Sequence, residues 1–211
     1  MIKTRLIMNE IKECDDIIKN GIGKRTLSST LYLLSRYYGN VQQLNDFEIY
    51  NKLSEFLKIT TQNYSEGKCK EMLEYYSSIY KPPLSNIDYI GVTNSEMKII
   101  NNLRSKDLKN IALTLLVISK FNHKINPNND YWCNVELTQI SRYSKVKEKK
   151  EILLKYIHEL YELGLIKFNK KIIKPNIQVL FAGEPCGNRK VVLNIHSFES
   201  LVPEYNKYLK S

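Results

Sequence analysis

The chain has 211 residues, room for one domain or two small ones. Its 43% apolar and 26% charged residues are those of an ordinary globular protein, which argues against a disordered or membrane-embedded chain. Lys and Arg outnumber Asp and Glu by 32 to 22, a formal charge of +10 with pI about 9.3, so a polyanionic partner becomes a candidate wherever those cations cluster.

The first half reads as helices. Asn9–Asn20 carries Ile11, Cys14 and Ile18 at helical spacing. Thr26–Tyr38 places Leu27, Leu31, Leu34 and Tyr38 on one face, and Gly39-Asn40 stops it. Asp46 is read as the cap of a third helix burying Phe47, Tyr50, Leu53 and Leu57. A fourth, from about Glu66 to Tyr80, ends at Lys81-Pro82-Pro83, because proline lacks the N–H a helix needs. Thr93-Asn94-Ser95-Glu96 is a capping box that opens a helix with Met97, Ile100 and Leu103 inward. Gly21-Ile22-Gly23-Lys24-Arg25-Thr26 has the look of a phosphate-binding loop. It lacks the preceding strand, the glycine spacing and the hydroxyl after the lysine, so it reads as an interhelical turn.

The second half begins with Asp107–Phe121, apolar nearly all round and therefore buried on several sides. A turn cluster, Asn126–Asp130, precedes a short strand at Tyr131–Cys133. Asn134 is read as the cap of a helix with Leu137 and Ile140 inward, and Ser144-Lys145-Val146 as the turn after it. The next helix buries Leu153, Ile157 and Leu160 and ends at Gly164, before the strand Leu165–Phe168. Ile177–Ala182 and Val191–Ile195 read as a β-hairpin with its tip at 183–190. A last short helix, Pro203–Leu209, turns Tyr205 and Leu209 inward.

This order, with the ending Leu153, Ile157, Leu160, Gly164-Leu165-Ile166, resembles the winged helix-turn-helix family over roughly 107–195. The interval from Ile140 to Leu153 is longer than the family's common spacing. The fold class that follows is mainly α with a small β-hairpin: a helical N-terminal domain, 1–104, then a winged helix-turn-helix domain, 105–211, with a short C-terminal helix. In composition and texture the whole chain also resembles proteins of phages and mobile elements of low-GC Gram-positive bacteria. The resemblance implies that the third helix of the motif enters the major groove of duplex DNA while the hairpin touches the backbone or minor groove.

The charge distribution agrees with that expectation. From Arg142 to Lys190 there are twelve basic residues against five acids, a surplus of seven in under a quarter of the chain. Carried onto this sequence, the candidate contacts are Gln139, Arg142, Lys145, Lys147, Lys149, Lys150 and Lys155 on or beside the third helix. Lys170, Lys171 and Lys174 form a basic loop, and Asn188, Arg189 and Lys190 lie in the expected wing. Lysines neutralise phosphates, whereas base reading needs Arg, Asn or Gln, in which that helix is poor. The bland reading is a solvated lysine-rich surface with i, i+4 pairs such as Lys147–Glu151 and Lys155–Glu159.

Catalysis is not expected. His123, His158 and His196 stand alone, without a metal-ligand spacing, and the four cysteines form no CxxC pair. No metal or cofactor is implied. Reduced thiols, the charged start of the chain and the shortness of the longest apolar run suit a cytoplasmic protein without a membrane segment. The expected function is non-catalytic duplex DNA binding in phage or mobile-element transcription control or replication. A protein-interaction factor, such as a phage-encoded inhibitor of a host machine, is the alternative. A homodimer and a host or phage protein are the other partners considered.

Overall fold

The computed structural model describes residues 6–62, 64–168, 176–183 and 190–211. It is mainly helical with small antiparallel sheets. Two compact units, Met1–Ile87 and Asp88–Ser211, divide the chain. This boundary lies ahead of the 104/105 junction expected from sequence. Residues 88–104 go with the second unit because β1 (Ile90–Thr93) pairs with β5 (Val191–Ile195), and α5 (Asn94–Asn101) packs on α6 (Lys106–Ile125).

The first unit consists of α1 (Glu10–Asn20), α2 (Leu27–Asn40), α3 (Asp46–Thr60) and α4 (Glu66–Ser78) around a core that includes Cys14, Leu31, Leu34, Leu53, Leu57 and Leu73. The cap of α3 is Asn45, not Asp46: Asn45 and Glu48 exchange hydrogen bonds in a capping box. The inward stripe is centred on Ile49, Leu53, Phe56 and Leu57, so Phe47 is turned out and is 74% exposed. The 21–26 stretch is the α1–α2 connection, held by Arg25, whose Nε donates to Glu13 Oε1 at 2.7 Å. Arg36, only 6% exposed, donates to both Glu10 carboxylate oxygens and to the carbonyls of Pro82 and Pro83. A buried guanidinium satisfied by so many acceptors fastens the proline segment onto α1 and α2.

The second unit is built on α6, whose residues from Ile111 to Ile118 are all buried. After it come β2 (Trp132–Asn134), α7 (Leu137–Ser144), α8 (Lys150–Glu162), β3 (Ile166–Phe168), β4 (Asn176–Val179), β5 and α9 (Leu201–Tyr208). Gly164, at φ +70, makes the left-handed turn from α8 into β3. The three-stranded sheet runs β2-β4-β3: Cys133 and Phe168 face Ile177 from either side, and Ile166 faces Val179.

The expected hairpin is corrected here. The strand at 177–182 pairs with β2 and β3, not with 191–195. Both edges of β4 are filled, so β5 finds its partner in β1, where Ile195 and Leu193 face Ile90 and Val92. Asn134 is the exposed last residue of β2, and Glu136 is the N-cap of α7. In α9, Tyr205 is buried as expected, but Leu209 lies past the helix and is 53% exposed. Phe198 anchors the C-terminal segment, with its ring 5.3 Å from both Phe121 and Tyr143.

Candidate nucleic-acid interface

The α7–α8 connection decides where the basic residues stand. Ser141 Oγ donates to the Val146 carbonyl at 2.7 Å, and the Val146 N–H donates to Ser144 Oγ at 3.3 Å. Val146 is buried between them, which forces its neighbours outward. Lys145 adopts φ 58, ψ 19, the left-handed region that costs a non-glycine residue of this kind about 1 kcal/mol. Such strain is kept where surrounding structure demands it, and it gathers at functional positions.

Lys145, Lys147, Lys149 and Lys150 are exposed in this turn and at the start of α8, and Lys155 is exposed one turn further on. Lys147 and Lys149 thus stand before the helix and not on it. Lys149 is the N-cap and supplies no side-chain acceptor to the free N–H groups of the first turn. Cations at this end of a helix oppose its macrodipole, a cost of about 0.3–1 kcal/mol each that a bound anion would reverse.

The expected i, i+4 pairs do not form. Lys147 stands before the helix, so Glu151 is not one turn along from it. Glu159 accepts from Arg104 Nη2 at 2.6 Å instead of pairing with Lys155. Among the described residues, Lys145, Lys147, Lys149, Lys150 and Lys155 have no ion pair. Glu148 and Glu151 are exposed nearby and dilute this charge without pairing to it.

Of the candidates suited to base reading, the two that lie among the described residues, Gln139 and Arg142, are engaged. Gln139 Oε1 accepts from the Glu136 N–H at 3.0 Å in the cap of α7. Arg142 donates to Glu199 at 3.1 Å and stacks over the Tyr143 ring. Lys170, Lys171, Lys174, Asn188 and Arg189 lie outside the described residues. The first three fall in the connection between β3 and β4. Lys190 is exposed, but its carbonyl accepts from the Asn94 N–H at 3.1 Å, which joins it to the β1–β5 sheet and the start of α5 rather than to the β3–β4 pair. The sequence reading passed over Lys167, exposed on β3 between the inward Ile166 and the half-buried Phe168; the alternation of that strand was the signal.

Exposed apolar side chains also lie along α8 and at its end. Leu154, Tyr161 and Leu163 are 44%, 41% and 54% exposed, and His158 stacks on Tyr161. In β2, burial pushes the Cys133 thiol up to about 12, which disfavours the reactive thiolate. Among the described residues no three His, Cys, Asp or Glu side chains gather to hold a metal, and no helix is long and apolar enough to cross a membrane.

Compared with protein-family models, with curated proteins and with solved structures, the chain matches none.

Proposed function

We propose that the second unit is a winged helix-turn-helix that binds duplex DNA, with α8 as the helix that enters the major groove. The observation that carries this reading is the five exposed lysines around the start of α8, without carboxylate partners among the described residues. The order α6, β2, α7, α8, β3, β4 supports it, since it follows the element order of the family that the sequence resembles. In this reading the 183–190 segment is not the tip of a hairpin, because β4 pairs with β2 and β3 and β5 pairs with β1; the sequence between β3 and β4 carries Lys170, Lys171 and Lys174.

The chemistry favours phosphate over base contact. Residues 150–162 contain no Arg, Asn or Gln, and Gln139 and Arg142 must leave their present partners before they can read a base edge. Binding is therefore dominated by counterion release and weakly selective for sequence. Transcription control or replication of a phage or mobile element is the biological setting this reading suits.

The test is fluorescence anisotropy with a labelled random duplex across a salt series. Wild type should bind at low salt, with log affinity falling linearly with log salt. Lys147→Ala/Lys149→Ala/Lys150→Ala should make that slope shallower by about 2–3. Equal slopes for the two proteins would remove α8 from the interface. A second reading, a protein-binding module, rests on the exposed Leu154, Tyr161 and Leu163. It gains if wild type fails to bind duplex even at low salt.

A further inference from the structure

The α8 face is not the only place in the second unit where cations stand without partners. A concavity of about 480 Å³ opens between the start of α6 and the end of α9. Arg104, Lys106, Lys109 and Lys210 line it, with Tyr205 and Leu209 as an apolar wall, and no acidic residue takes part. Arg104 is held by Glu159. The side-chain ammonium groups of Lys106, Lys109 and Lys210 have no ion pair or hydrogen-bond partner among the described residues.

Three costs coincide at this spot. Lys106 and Lys109 are three residues apart, so like charges share one helix face. Both lie in the first four residues of α6, at the positive end of its dipole. Lys210, just past the end of α9, adds a third cation. Asp107, in the same turn, does not line the concavity. The wall is rigid by comparison: Tyr205 is 1% exposed, and its hydroxyl donates to Asn101 Oδ1 at 2.7 Å.

We infer that this concavity is a phosphate-binding pocket. One multiply charged anion would relieve all three costs together, and a phosphate or diphosphate supplies that charge where a carboxylate supplies only one unit. Lysine ammonium groups bind phosphate as point charges. The volume of about 480 Å³ lies in the lower part of the range of small-molecule sites, roughly 300–1,000 Å³, and Leu209, 53% exposed, provides apolar surface for an attached organic group. The phosphate comes either from a free phosphorylated molecule or from a DNA backbone, and the pocket stands whether or not α8 binds DNA.

The experiment is calorimetric titration with inorganic pyrophosphate of wild type, of Lys106→Gln/Lys109→Gln/Lys210→Gln, and of the α8 triple-alanine protein. Trp132 fluorescence, from the chain's one tryptophan, checks that each is folded. For a free ligand, wild type binds saturably at one site per chain, and the pocket variant weakens this about tenfold or more. The α8 variant then binds as wild type does, and the pocket variant keeps its duplex affinity. For a backbone phosphate, the pocket variant loses duplex affinity and pyrophosphate displaces a labelled duplex from wild type. The pocket is overturned if pyrophosphate binding is equal in wild type and the pocket variant, if only the α8 variant loses it, or if wild type takes up none and duplex affinity is unchanged.

Discussion

Lys149 stands where a helix start ordinarily carries Ser, Thr, Asp or Asn. Its φ −63, ψ 155 suits such a residue, so the chain forgoes a cap that its backbone would accept. Lys149→Ser should raise the stability of the second unit by about 0.5–1 kcal/mol in urea unfolding followed by Trp132, and should weaken duplex binding. A serine that leaves stability unchanged would mean that solvent already satisfies that turn. Cys133 makes a separate prediction. Its ordinary value of 9.0 rises to about 12 on folding through burial. The folded state therefore keeps a proton that the unfolded chain gives up, and the resulting stability is intact below pH 9 and lost as pH climbs from 9 towards 12. Cys133→Ala should make that alkaline loss shallower by about 1.4 kcal/mol per pH unit. At this scale the lysines were legible, because exposure followed from local charge and the turn. The engagement of Arg142 by Glu199 and of Glu159 by Arg104 was not, because each pair joins residues far apart in the chain.

Glu96 shows how the elements of the second unit are fastened together. It is 1% exposed, and its carboxylate accepts from Thr93 N at 2.8 Å, from Lys120 Nζ at 2.8 and 2.9 Å, and from Gly183 N at 3.0 Å. One side chain thus closes the start of α5, clamps α6 and holds the turn after β4. Gly183, at φ +72, also leaves no room for a Cβ against the Tyr131 hydroxyl. Glu96→Gln places an amide hydrogen against N–H donors and strips Lys120 of its counter-charge. It should cost about 3 kcal/mol in urea unfolding followed by Trp132. A loss under about 1 kcal/mol would show that water replaces the carboxylate there. The capping box of Thr93 and Glu96 was readable from four adjacent residues; the further reach of Glu96 to Lys120 and Gly183 was not. Strand pairing failed for a similar reason. Ile166-Lys167-Phe168, Asn176–Val179 and Val191–Ile195 all carry strand-like patterns, and periodicity says which face turns inward but not which neighbour fills an edge. β3 is only three residues long, and chain order favoured the two longer runs that followed it.

For the whole molecule, the basic surplus between 142 and 190 was legible as a number but not as a surface. The described part of it divides between Arg142 on α7, the α7–α8 turn, α8, β3 and Lys190, and Lys190 lies with the β1–β5 sheet. The pocket cations Lys106, Lys109 and Lys210 are not legible as a group in the sequence, because Lys210 lies far along the chain from the two lysines of α6. The helical character of 10–78 and the buried stretch of α6 followed directly from periodicity. The account depends on the α8 lysines meeting DNA. Lysine acetylation footprinting with and without a random duplex at low salt, read residue by residue by mass spectrometry, tests it most directly. The predicted result is protection of Lys145, Lys147, Lys149, Lys150 and Lys155, with Lys12, Lys52 and Lys68 of the first unit unchanged. Uniform reactivity across all of these lysines in the presence of bound duplex, or protection confined to the first unit, would contradict it.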